Sequence, residues 1–109
     1  MPDTVSTLRL IQISPQHQPT AYLQLVFSPQ PNPATDAAQL VAWLQQFPAI
    51  DRVQVELSMD LVLIRFTWDQ QPFYLHLEHY TEACWIDTDS TAEDMLLSEL
   101  AQLLSQNIL

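Results

Sequence analysis

The sequence contains no glycine and no lysine, and it has a single cysteine. The missing glycine excludes the dinucleotide-binding fingerprint, the Walker A phosphate loop, the nucleophile elbow and the EF-hand calcium loop. One cysteine cannot form an internal disulfide, which fits a reducing compartment. The N-terminus lacks the pattern of a secretory signal, and the longest apolar run, residues 61–64, is too short for a membrane span. We therefore expect a cytoplasmic protein.

Positive charge is also scarce in this sequence. Three arginines face thirteen carboxylates, which gives the 109-residue chain a formal net charge of −10. This charge repels a nucleic-acid backbone and an anionic membrane, and it favours a basic protein partner. A merely solvated acidic surface is the alternative interpretation. Apolar residues make up 48 % of the chain, enough for one modest core, so we expect a single domain over residues 1–109.

Apolar residues that alternate with polar ones predict the strands. In chain order the predicted strands are residues 5–13, 20–27, 53–57, 61–68, 73–80 and 83–87. Residues 61–68 are apolar on both faces, as is typical of a central strand. Proline, aspartate and polar residues indicate turns at residues 14–19, 59–60 and 68–72.

Two segments carry the residue spacing of amphipathic helices. Asn32 or Thr35 can cap the first helix, and Pro48 ends it. The second helix opens with a capping box at residues 90–93, Ser-Thr-Ala-Glu. The element order is therefore β-β-α-β-β-β-(β)-α. It predicts an α+β fold, with an antiparallel sheet of five to six strands and two helices on one face.

His76, Glu78 and His79 form the one cluster with the character of metal ligands. On a strand, His76 and Glu78 project to the same face and His79 projects to the other. A metal ion would need further ligands, because catalytic zinc normally takes three from the protein. The sequence offers them nearby at Glu82, Cys84 and Asp87.

Cys84 could act as a nucleophile with His76 or His79 as its base. Its alternation with Ile86 favours the other interpretation, a buried and inert thiol. No catalytic motif and no cofactor site is predicted. A metal- or cysteine-dependent enzyme centred on His76, Glu78, His79 and Cys84 is therefore kept as an alternative function.

Aromatic residues suggest a surface for binding protein. Tyr74 and Tyr80 share the strand side of His76 and Glu78, which is the face that no predicted helix covers. Tyrosine and tryptophan beside a carboxylate rim are typical of a protein contact. The predicted contact residues are Trp68, Tyr74, His76, Glu78 and Tyr80. A homodimer through this face is one way to cover it.

The segment FYLHLEHY at residues 73–80, followed by Trp85-Ile86, resembles the strand pair of short bacterial proteins catalogued as a domain of unknown function. That resemblance implies no activity. In size, acidity and element order the chain is also similar to small secretion chaperones, and in charge and size to acidic inhibitors or immunity proteins. Both similarities imply a protein partner. We predict a non-enzymatic protein-interaction module that binds through its uncovered sheet face.

Overall fold

The computed structural model describes residues 8–17, 20–81, 83–89 and 93–107, and this part of the chain contains six strands and two α-helices. In chain order they are β1 (Arg9–Gln16), β2 (Tyr22–Ser28), α1 (Ala37–Gln45), β3 (Ile50–Leu57), β4 (Leu61–Trp68), β5 (Gln71–Glu78), β6 (Cys84–Asp87) and α2 (Glu93–Leu104), followed by a 3₁₀ turn at Ser105–Asn107. The strands form one antiparallel sheet in the order β1-β2-β6-β5-β4-β3. The predicted α+β fold is confirmed.

Strand alternation divides the sheet into a helix-covered face and an open face. On the helix-covered face every second residue of the central strands is buried, namely Val62, Ile64, Phe66, Phe73, Leu75, Leu77, Cys84 and Ile86. The two helices bury Leu40, Leu44, Leu97, Leu100 and Leu104 in the same core. The Trp43 ring packs edge-on against Phe27 at 4.9 Å, which holds α1 to β2. Neither described helix is long and apolar enough to cross a membrane.

The first hairpin differs from the prediction at its turn. The predicted turn at residues 14–19 is too long, because β1 continues to Gln16 and its Pro15 pairs with Leu23. Proline is tolerated there because β1 is an edge strand, whose outer side requires no N–H donor. The first residues of the predicted strand, 5–7, lie outside the described part of the chain.

Helix α1 begins at Ala37, later than either predicted cap would place it. Asn32 instead closes a turn before the helix: its Oδ1 accepts the Ala34 N–H at 2.8 Å, and its N–H donates to Asp36 Oδ2 at 2.8 Å. Asp36 takes the cap position without a side-chain cap bond. Of the capping box predicted at residues 90–93, residues 90–92 lie outside the described residues.

The turn between β4 and β5 consists of two residues and contains no glycine. Asp69 and Gln70 have φ of 52° and 63°, and Trp68 pairs with Gln71 across them. Positive φ at both positions is typical of a type I′ hairpin turn, which glycine and asparagine favour. The left-handed conformation costs a residue with a β-carbon about 1–2 kcal/mol. Gln70 therefore holds an unfavourable backbone conformation that glycine would relieve.

We expect Gln70→Gly to raise the free energy of unfolding by about 0.5–1 kcal/mol, since the relieved strain exceeds the extra chain entropy of glycine. Urea unfolding measures the change. Gln71→Gly is the matched control: Gln71 belongs to β5, so glycine there should lower stability by about 0.5–1 kcal/mol. A Gln70→Gly midpoint at or below that of the wild type would contradict the strain at Gln70.

Candidate protein-contact surface

Five polar and aromatic side chains lie together near the centre of the open face. Tyr74 and His76 come from β5, Trp85 and Asp87 come from β6, and Asp89 follows β6. They lie on this side because they alternate with the buried residues of the same strands. We call these five residues the central cluster.

Direct contacts fix the side chains of the central cluster. His76 is opposite Trp85 in the β5–β6 register, and their rings stack with centroids 4.8 Å apart and planes within 7°. His76 Nε2 lies 2.9 Å from Asp87 Oδ1. Because these side chains already contact one another, they would lose little conformational entropy when a partner binds.

A second hydrogen bond ties β5 to the segment after β6. The Tyr74 hydroxyl donates to Asp89 Oδ2 at 2.8 Å. This bond, with smaller contributions from desolvation and from the Asp89 charge, raises the pKa of Tyr74 above its ordinary value. The phenol therefore keeps its proton and serves as the donor to Asp89.

Negative charge prevails around the central cluster. Glu78 is half-buried at the end of β5, and it accepts a hydrogen bond from the Thr81 hydroxyl at 2.7 Å. Arg65 of β4 lies opposite Tyr74, but its guanidinium is paired with Glu56 at 3.1 Å. That surface pair is worth at most about 1 kcal/mol. The pair offsets part of the arginine charge, and Glu56, Glu78, Asp87 and Asp89 outnumber this one cation on the described part of the face.

An open cavity of about 510 Å³ adjoins Trp85 on the open face. Gln24 of β2 is opposite Trp85 on the side away from His76, while Glu78 reaches the cavity from β5, the strand that carries His76. Its lining is formed by Thr20, Tyr22, Gln24, Glu78, Thr81, Ala83, Cys84 and Trp85. Among these eight residues Glu78 carries the one charge.

Tyr80 belongs to an exposed apolar group at one end of the sheet. Tyr80 is 85 % exposed, Met59 is 91 % exposed and Leu57 is 71 % exposed. Their two turns are joined by a hydrogen bond from the His79 N–H to the Asp60 carbonyl at 3.0 Å. We call Leu57, Met59 and Tyr80 the apolar end. Side chains as apolar and exposed as these are typical of contact surfaces.

The sequence predicts that Trp68 and Tyr74 lie in one contact surface, but the structure places them on opposite faces of the sheet. Strand β4 continues through Trp68, and alternation places it on the helix-covered face with Phe66. Its ring lies 6.1 Å from that of Phe73 and packs against the core. Trp68 also lines a polar cavity of about 1000 Å³ at the sheet edge. A contact confined to the open face therefore excludes Trp68.

The proposed metal ligands are not brought together. Glu78 ends β5, while His79 lies in the turn after it. His76 Nε2 contacts Asp87 instead. Across the described ranges, which omit Glu82, no group of three or more histidine, cysteine, aspartate or glutamate side chains could hold a metal ion.

Cys84 and His76 lie on opposite faces of the sheet. The Cys84 thiol is 1 % exposed in the core beneath the helices. Burial raises its pKa to about 12, so it stays protonated at neutral pH and is a poor nucleophile. The structure therefore does not assemble the cysteine–histidine pair of the enzyme alternative.

Sequence reasoning missed Trp85 and Met59 at this surface, and it missed the exposure of Leu57, which pairs with Val62 on the helix-covered side of edge strand β3. Trp85 could have been found, because its alternation with Cys84 and Ile86 already placed it on the open face. Leu57 lies on the same strand side as the half-buried Val53, so its exposure at the sheet edge carries no local signal. Met59 sits in a turn, where exposure is ordinary.

The family model described as protein of unknown function, DUF3630, matches residues 16–105 of this chain. The chain therefore belongs to that family, and the resemblance seen in residues 73–80 and Trp85-Ile86 is confirmed. No curated protein and no solved structure matches it. Because the family carries no assigned activity, a functional proposal has to rest on the surface itself.

Proposed function

We propose that this chain is a small acidic protein-interaction module that binds another protein through the open face of its sheet. The central cluster is the observation that carries the proposal. It places a half-buried indole, a stacked imidazole and a tyrosine beside carboxylates, on a face that neither described helix covers. Aromatic side chains surrounded by polar ones are the composition of a binding hot spot and its rim.

The apolar end supports the same surface. Met59 and Tyr80 lie in two hydrogen-bonded turns at the end of the sheet where β5 turns into β6, and Leu57 ends edge strand β3 beside them. A partner that covers the central cluster and extends to this end would bury apolar area that is now in water. Burial of that area would add to the affinity that the central cluster provides.

The net charge favours a basic partner. At −10, the chain attracts positively charged proteins and accelerates their association, an effect that salt weakens. Inhibition of a basic protein and escort of a secreted one would both use such a surface. We place this binding in the cytoplasm, where a free Cys84 remains reduced. The proposal assigns the chain no catalytic residue and no cofactor.

Capture of partners from a lysate of the source cells, at low and at moderate salt, tests the proposal. We expect wild-type protein to retain a partner, more strongly at low salt, and Trp85→Ala to weaken retention about tenfold or more. Glu99→Gln is the control, because it changes one charge on the exposed side of α2. Circular dichroism verifies that both variants are folded. Equal retention by wild type and Trp85→Ala would contradict the proposal.

A homodimer through the same face is a second proposal, supported by the half-buried Leu63 opposite His76. In it, Tyr74 and His76 of two copies meet at the centre while the carboxylates lie at the rim. Light scattering at micromolar concentration should then give twice the 12.5 kDa mass of one chain. Tyr74→Asp should return the mass to one chain. A single-chain mass for the wild type would contradict the homodimer.

A further inference from the structure

We infer that the cavity beside Trp85 is the seat for an arginine side chain of the partner protein. This inference rests on the proposed function and names the chemistry that the open face would recognise. The cavity is defined by Tyr22, Gln24, Trp85 and Glu78, with backbone and small side chains completing its lining. At about 510 Å³ it lies within the size range of protein sites that hold small ligands.

The indole of Trp85 offers one ring face to this seat. Its other face is covered by His76, whose ring stacks on it at 4.8 Å. Since His76 and Gln24 flank Trp85 on opposite sides, the uncovered ring face is turned towards Gln24, which lines the cavity together with Trp85. Indole is the aromatic ring that attracts a cation most strongly, and a planar guanidinium can stack on it.

Glu78 supplies the charge that selects a cation. Its carboxylate accepts one hydrogen bond from Thr81, which holds it in place and leaves further acceptor positions for a guanidinium. No lysine or arginine is among the eight described residues that line the cavity. A leucine or phenylalanine in the seat would remove water from the half-buried carboxylate without a compensating bond. The charge of the site, like that of the whole chain, therefore favours a cationic side chain over an apolar one.

A short peptide tests the seat without the partner protein. We would titrate acetyl-Ala-Arg-Ala-amide into ¹⁵N-labelled protein and follow the three indole N–H resonances by NMR, with Trp85→Phe to assign that of Trp85. The Trp85 resonance is expected to shift and saturate, while those of Trp43 and Trp68 stay unchanged. The same peptide with citrulline keeps the shape of the side chain and removes its charge. Its affinity should be lower by a factor of about five or more.

Two matched variants separate the seat from general attraction to an acidic protein. Glu78→Gln keeps the oxygen that accepts the Thr81 hydrogen bond, and it should lower the affinity for the arginine peptide about fivefold. Asp60→Asn removes the same charge from an exposed turn that does not line the cavity, and it should leave affinity unchanged. Equal binding of the arginine and citrulline peptides, or equal losses in the two variants, would overturn the arginine seat.

The peptide experiment and the capture experiment can contradict the arginine seat and the proposed function independently of each other. If Trp85→Ala abolishes partner capture while the two peptides bind alike, the open face is the contact and the arginine seat is wrong. If the peptide result is as expected but capture is unaffected by Trp85→Ala, the seat binds arginine and the proposed function is wrong.

Discussion

Leu75→Ala is expected to lower the free energy of unfolding by about 2–5 kcal/mol. Leu75 is fully buried at the middle of β5, with strands paired on both of its sides and the helices above it. The substitution removes buried apolar atoms and leaves a cavity that the paired strands cannot close. Urea unfolding followed by circular dichroism gives the value.

Leu63→Ala is the matched control, because it makes the same chemical change on the open face. Leu63 lies on β4 opposite His76 and is half-buried. Its truncation should lower the free energy of unfolding by about 1 kcal/mol, since less area leaves water when the chain folds. Losses of similar size at Leu63 and Leu75 would mean that both faces of the sheet are covered, and they would contradict the assignment of an open face.

Alkaline pH is expected to destabilise the fold through Cys84, by up to about 4 kcal/mol between pH 9 and 12. Burial raises the pKa of this thiol from its ordinary 9.0 to about 12. Well below pH 9 the thiol is protonated in both the folded and the unfolded chain, so the stability that the buried neutral thiol contributes is fully present. Between these pH values the unfolded chain releases the proton while the folded chain retains it, and unfolding becomes more favourable.

Unfolding of wild type and Cys84→Ala at several pH values from 7 to 11 measures this contribution. Tyrosines ionise in both proteins, so the difference between the two slopes isolates Cys84. The alanine variant should start less stable, because it leaves a small cavity, and should then lose stability less steeply above pH 9. Parallel curves for the two proteins would show that the thiol is not buried as the structure places it.

The faces of the central strands could be predicted from the sequence because alternation is a local property. Alternation predicts that Val62 and Ile64 lie on the face opposite Leu61 and Leu63, and the structure places them there. The strand predicted at residues 61–68 has the same bounds as β4, but the turn after it could not be predicted equally well. The Asp69-Gln70 turn lacks glycine, so the sequence carries no sharp signal for a two-residue turn, and the turn predicted at residues 68–72 is too long.

The candidate surface could be predicted only in part. The alternation of side chains along a strand was enough to place Tyr74 and His76 on one face. The stacking of His76 on Trp85 depends on the register of β5 with β6. The cavity depends further on β6 lying between β5 and β2, a pairing of strands that are distant in sequence. No local pattern in β2 or β6 specifies that pairing.

Site-specific photo-crosslinking tests the central claim, that the open face contacts another protein, most directly. A benzophenone amino acid would replace Tyr80, which is exposed beside the open face, and in a second protein Gln102, which is exposed on α2. In lysate of the source cells, we expect a discrete crosslinked partner from position 80 and none from position 102. The Trp85→Ala substitution should remove that crosslink. Equal crosslinking from both positions, or no crosslink from position 80, would contradict the account.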